Sequence, residues 1–89
     1  MDHFVLCVKD NCAGVYMRPF TSPNTGSAIR TFSSEINRPA EDNMMYKHAD
    51  DFDLYLLGMF DDATGELRQE TPKCLIRGKD VVLQTKPQH

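Results

Sequence analysis

Residues 52–60 read Phe-Asp-Leu-Tyr-Leu-Leu-Gly-Met-Phe, apolar at nearly every position after Asp53. No other segment constrains the fold as strongly. A strand with apolar side chains on both faces belongs inside a sheet that is covered on both sides. Tyr55, Leu57 and Met59 alternate against Phe52, Leu54, Leu56 and Phe60. Strict alternation sends these two sets to opposite faces, so each face needs its own cover.

Neighbouring segments supply the partners. Phe4-Val5-Leu6-Cys7-Val8 predicts a buried strand. Asp10-Asn11 and Gly14 supply turn chemistry, and residues 15–20 read as the returning strand. Pro19 has no amide to donate, so that strand lies at an edge or finishes early. Asp61-Asp62-Ala63-Thr64-Gly65 closes a second hairpin, with Gly65 suited to a positive φ. Glu66-Leu67-Arg68-Gln69-Glu70 returns as a more exposed strand that Pro72 ends. Cys74-Leu75-Ile76 and Val81-Val82-Leu83 flank a turn at Arg77-Gly78-Lys79-Asp80 and leave room for one short extra strand.

Between the hairpins, Ala28, Ile29, Phe32 and Ile36 recur at helical spacing. Asn24 or Thr25 is the expected N-cap, and Asn37-Arg38-Pro39 stops the helix. The expectation is an α+β fold: an antiparallel sheet of four or five strands in the order β-β-α-β-β, with one amphipathic helix packed on one face. Residues 1–83 form its single domain, and 84–89 a frayed polar tail. One helix covers one face only. The second apolar set therefore needs either the connection around Met44-Met45-Tyr46 or another copy, and a homodimer through the open sheet face is expected.

At 89 residues and 40% apolar content, the chain supports one domain with a thin core. No run approaches the roughly 18 apolar residues of a membrane span. Met1-Asp2-His3 lacks the basic start of a signal peptide, so cytoplasmic residence is expected. Cys7, Cys12 and Cys74 are an odd set with no export signal, which predicts reduced thiols, with Cys7 buried. The net charge of −3 is uneven, with ten acidic and three basic residues in 35–70 and four basic and one acidic in 71–89. Such a chain is a poor nonspecific DNA binder; the basic C-terminal segment reads first as an ordinary solvated tail and second as a phosphate contact.

Enzyme chemistry finds little support. Asp50, Asp51 and Asp53 with Asp61 and Asp62 suggest a divalent-metal nuclease. Yet the two groups sit at opposite ends of one strand, roughly 30 Å apart, and suit turns better. His3, His48 and His89 with the cysteines lack zinc-finger spacing. There is no phosphate-binding glycine loop and no nucleophile elbow. Tyr16 with Arg18, and Tyr46 with Lys47, are the available aromatic–basic pairs for a nucleic-acid surface.

One resemblance runs through the chain. Phe4-Val5-Leu6-Cys7-Val8-Lys9-Asp10, then Arg18-Pro19-Phe20 and Gly26-Ser27-Ala28-Ile29-Arg30-Thr31-Phe32, resemble the small nonstructural protein of gokushoviruses. These are single-stranded DNA bacteriophages of the microvirus group. The likeness continues through His48-Ala49-Asp50-Asp51-Phe52-Asp53-Leu54-Tyr55 and Leu57-Gly58-Met59-Phe60-Asp61-Asp62-Ala63-Thr64-Gly65. It departs at Ala49, where the family pattern has proline, and at the cysteines. The resemblance implies a DNA-binding or DNA-synthesis accessory in the bacterial host's cytoplasm. It would act in the switch to single-strand production for packaging and be absent from the finished particle. It brings no catalytic residues.

The resulting expectation is a non-enzymatic protein that contacts single-stranded DNA or phage and host replication proteins. Arg18, Arg30, Lys73, Arg77 and Lys79 are the nucleic-acid-binding candidates. No catalytic residue, metal, cofactor, membrane or small-molecule substrate is expected. The rival reading is a protein–protein adaptor linking replication proteins to the procapsid, with the acidic 35–70 segment as its contact.

Overall fold

The computed structural model of the chain describes residues 1–83. Strand β1 (Asp2–Asp10) leads to β2 (Val15–Tyr16), β3 (Phe20–Ser22), helix α1 (Thr25–Ile36) and one-turn helix α2 (Met44–Lys47). Then come β4 (Phe52–Asp61) and β5 (Leu67–Arg77), each next to a 3-10 turn, Ala49–Asp51 before β4 and Gly78–Asp80 after β5. All strand pairs are antiparallel, in the order β2-β1-β4-β5, with β3 also on β1. The α+β expectation holds, and β4 lies inside the sheet as its apolar sequence requires.

The order of elements needs correction. It is β-β-β-α-β-β with a second short helix, not β-β-α-β-β with one. Residues 15–20 do not make a single strand. Between the Lys9–Tyr16 and Leu6–Phe20 pairs, β1 offers two residues and the returning chain offers three. The chain bulges by the surplus residue, and Pro19 there has no amide to give the ladder. Met17 alone keeps a bond, from its amide to the Val8 carbonyl at 2.7 Å.

Pro72 does not end β5, which absorbs Cys74-Leu75-Ile76 and runs to Arg77. β5 is an edge strand, and Pro72 falls where Glu70, Thr71 and Pro72 face Leu57 alone. An amide missing from such a bulge breaks no ladder bond. Val81-Val82-Leu83 is not a strand, and Val81 and Val82 pack against the core. The tail expected at 84–89 lies outside the described residues.

Helix α1 starts where Asn24 accepts a bond from the Ser27 amide at 2.7 Å. Its buried residues are Ala28, Phe32 and Ile36, one face at four-residue spacing. They meet Leu6 of β1, Phe52 and Leu54 of β4, Met45 of α2 and Ala49. Each large side chain removed from water here contributes about 1.5–3 kcal/mol.

Three asparagines tie the elements around this core. Asn43 is buried and fully engaged: its amide donates to the Glu35 and Arg38 carbonyls, both at 2.8 Å. Its oxygen accepts from the Met45 and Tyr46 amides, so one side chain closes α1 and opens α2. Asn37 donates to the Ser33 and Val81 carbonyls and accepts from the Leu83 amide. Asn11 donates to Asp53 at 2.8 Å. Gly78 lies so close to the Ala49 and Phe52 carbonyl oxygens that a Cβ there would overlap both.

Met45 enters the core from the same side as α1, so the Met44-Met45-Tyr46 connection does not cover the second face of the sheet. One further deviation matters for that face. Val5 pairs with Gly58 but Leu6 pairs with Leu56, so Leu57 is surplus on β4. Strict alternation therefore fails beyond it. Met59 falls beside Phe4, which packs on the core, and Phe60 moves to the side of Tyr55. Gly58 is required here, because a Cβ would overlap the Arg68 carbonyl oxygen on β5.

Candidate functional site

The core elements all lie on one side, and among the described residues no helix crosses the other face. Register identifies what stands there, because paired residues on adjacent strands share a face. The first row is Tyr16, Lys9, Asp53 and Arg77, running across β2, β1, β4 and β5. The second is Cys7, Tyr55 and Cys74. Beyond the bulge come Thr21, Val5, Gly58 and Gln69, and then His3, Phe60 and Leu67.

The first two rows join aromatic rings to cations. Tyr16 and Tyr55 stand edge to face, with centroids 5.4 Å apart and planes at 83°. The Lys9 ammonium lies 5.2 Å from the Tyr16 ring centre and 5.9 Å from that of Tyr55, within cation–π range. Lys9 makes no ion pair among the described residues. Tyr16 is exposed.

Asp53, only 6% exposed, is held from three directions. It accepts from Asn11 at 2.8 Å and from the Gly78 amide at 3.4 Å, and Arg77 Nε lies 3.7 Å from its Oδ1. The carboxylate is thus a fixed anchor that positions Arg77 at the end of the row. Both thiols of the second row are less acidic than usual. Burial raises Cys7, while Cys74 is raised by burial and then by the charge of Asp53. All three cysteines are free, with Cys7 buried as its strand position predicts.

The other end of this face is apolar. Val5, Leu57 and Leu67, with Pro19, line a concavity of about 320 Å³, and Val5, Pro19, Phe60 and Leu67 line a neighbouring one of about 330 Å³. Of the charges near it, Asp62 and Arg68 are paired within the chain, while Glu70 on β5 makes no ion pair among the described residues. Asp62 accepts from the Met1 amine and contacts His3 Nε2, each at 2.8 Å. The amine, then His3, hold its carboxyl below the usual carboxylate range. Arg68 donates to Asp2 at 3.0 Å and to Glu66 at 3.4 Å.

The five residues predicted to bind nucleic acid do not form one face. Arg18 lies between β2 and β3, on one edge of the sheet, whereas Lys73 and Arg77 are on β5 at the other. Lys73 pairs with core-facing Leu56 and Arg77 with Asp53, so they face opposite sides. Arg30 is exposed on α1 and shares a shallow groove with Ser33, Ser34, Val81 and Leu83. Lys79 is in the turn after β5. Only Arg77 joins the aromatic row.

Lys9 and Tyr55 were missed as site residues. Their signal is the alternation of Val5, Cys7 and Lys9 on β1, which pairing sets on the same face as Tyr55 of β4. Tyr16, an available partner for Arg18 in the sequence, has the Lys9 ammonium over its ring. Of the acidic groups, Asp50 and Asp51 lie in the 3-10 turn before β4, while Asp61 and Asp62 lie at its far end. Asp61 accepts from the Ala63 amide at 2.9 Å in a local turn.

Fold and face together define a small α+β protein that presents one uncovered side of an antiparallel sheet. The chain belongs to the Phage ORF5 protein family, whose model matches residues 3–81, nearly everything from β1 to the turn after β5. It is therefore a phage protein. No curated protein and no solved structure matches it. Among the described residues, no helix is long and apolar enough to cross a membrane.

Proposed function

We propose that this phage protein is a non-catalytic accessory of genome replication and packaging that binds single-stranded DNA on the uncovered sheet face. The observation that carries the reading is the Lys9 ammonium set over the Tyr16 and Tyr55 rings, in line with Arg77. Unpaired bases stack on aromatic faces, and adjacent cations neutralise the phosphates. The resemblance to gokushovirus nonstructural proteins supports the same role, in the host cytoplasm and outside the finished particle. With a net charge of −3, charge alone is a weak driver, so stacking carries most of the affinity and selects unpaired over duplex DNA.

Anisotropy of a labelled oligothymidylate measures this directly. Tyr16→Ala is expected to weaken binding by about 1–3 kcal/mol, the loss of one stacked base. Lys9→Ala is expected to flatten the salt dependence by about 0.7 in logarithmic slope. Wild-type protein that ignores the oligonucleotide even at low salt would sink the reading. The adaptor reading, in which the acidic 35–70 segment meets a replication or procapsid protein, would then stand, favoured by its ten acidic against three basic residues.

A further inference from the structure

The row that carries the stacking site has a carboxylate at its centre. Asp53 is the register partner of both Lys9 on β1 and Arg77 on β5. Opposite charges on directly paired strand residues ordinarily attract each other. Lys9 nevertheless makes no ion pair with it: the ammonium lies over the Tyr16 and Tyr55 rings instead. Arg77 meets Asp53 through Nε, at 3.7 Å, and its side chain stays 52% exposed. Asn11 and the Gly78 amide hold the carboxylate from the other sides. Read across the strands, the row is cation, carboxylate, cation.

We propose that Asp53 determines which form of DNA this face accepts, by barring phosphate from the middle of the row; the inference rests on the single-strand reading above. Lys9 and Arg77 stand on strands two spacings apart, roughly 10 Å. A strand that engages both therefore crosses Asp53. An unpaired strand can cross with a base turned down towards Tyr55 and the intervening backbone turned up to water. A duplex meets a sheet through its backbone, and its phosphates cannot turn away while the bases stay paired. One of them would face a carboxylate that three neighbours hold in place, and like charges so opposed weaken binding. Because Asp53 is only 6% exposed, salt screens it less than a surface charge. Stacking on Tyr16 favours the unpaired strand, and Asp53 penalises the paired one.

Anisotropy of a labelled oligothymidylate and of a labelled duplex of the same length tests the assignment. Asp53→Asn removes the charge and keeps an acceptor for the Gly78 amide. The ratio of single-strand to duplex affinity should fall by about threefold to tenfold. A merely structural role would weaken both DNAs together and leave the ratio unchanged. Asp42→Asn, at an exposed position between α1 and α2, makes the same change in net charge and should not move the ratio. The wild-type salt dependence gives a check that needs no variant. Two phosphates, one on each cation, predict a logarithmic slope of about −1.4 on oligothymidylate, whereas a third over Asp53 would bring it to about −2.1. The steeper slope would overturn the proposal, as would an unchanged ratio in Asp53→Asn or an equal fall in Asp42→Asn. Any of these would leave the single-strand reading standing, whereas wild type that binds neither DNA would overturn both.

Discussion

The two sides of one sheet are built from the same strands and do opposite work. On the inner side, Leu6, Phe52 and Leu54 disappear beneath Phe32, Ile36 and Met45. On the outer side, Tyr16 and Leu67 keep about half of their surface or more in water, at 46% and 65%. The difference teaches that β4 is apolar on both faces for two reasons. One face makes the fold, and the other, on the proposed reading, is left for contact.

Stability is the sharpest way to break this contrast. Phe32→Ala should cost about 3–5 kcal/mol, the usual loss on emptying an aromatic site in a core. Leu67→Ala, on the outer side, should stay within about 0.5 kcal/mol in dilute protein. Urea denaturation of both variants measures the pair, and comparable losses would mean that the outer face is also core. A smaller effect is expected at the seam of the inner side. Asn43→Ala removes four hydrogen bonds at the α1–α2 junction and should cost about 1–2 kcal/mol.

Thiol labelling compares positions without substitution. Cys12 is exposed and should react first in native protein. Cys74 is exposed as well but should lag, because partial burial of its thiol and then the charge of Asp53 make it less acidic. Cys7 should react only on unfolding, being buried and raised in the same direction. Mass spectrometry of a timed alkylation reads the order, and early labelling of Cys7 would show that the outer face opens.

The smallest effect belongs to the charge pairing at the apolar end. The folded Asp62 carboxyl is depressed by the Met1 amine and then His3. Its stabilisation is therefore complete above the unfolded carboxylate range, near pH 4, and lost as pH falls through the lower folded value. Wild type should exceed Asp62→Asn slightly at neutral pH, with the two converging in stronger acid. Thermal melts across pH locate the convergence.

Much of the inner side was legible. The spacing of Ala28, Phe32 and Ile36, the Asn24 cap and the stop at Asn37-Arg38-Pro39 are local signals, and the helix obeys them. Gly65 closes its hairpin at φ 77°, as the turn sequence predicts. The errors arose where an unpaired residue shifts a ladder. Pro19 splits one strand into two, Pro72 sits harmlessly in an edge bulge, and Leu57 reverses the alternation of Met59 and Phe60. Bulges depend on which strand lies alongside, so no single segment announces them. The site was obscured for a related reason. Lys9, Tyr16 and Tyr55 are distant in the chain, and only strand pairing brings them together. The basic residues gathered near the C-terminal end include Lys73, which turns to the core side, whereas Lys9 stands alone in the sequence.

The surplus Leu57 has a wider consequence. It works as a phase shifter, uncoupling the distal third of β4 from the rhythm of the part that holds the core. Losing or gaining one codon at this point would swap which side Met59 and Phe60 face, while Phe52, Leu54 and Leu56 kept theirs. The outer surface of such a protein is set by chain length as well as by residue type, because the count of residues before Gly58 decides which of Met59 and Phe60 it displays.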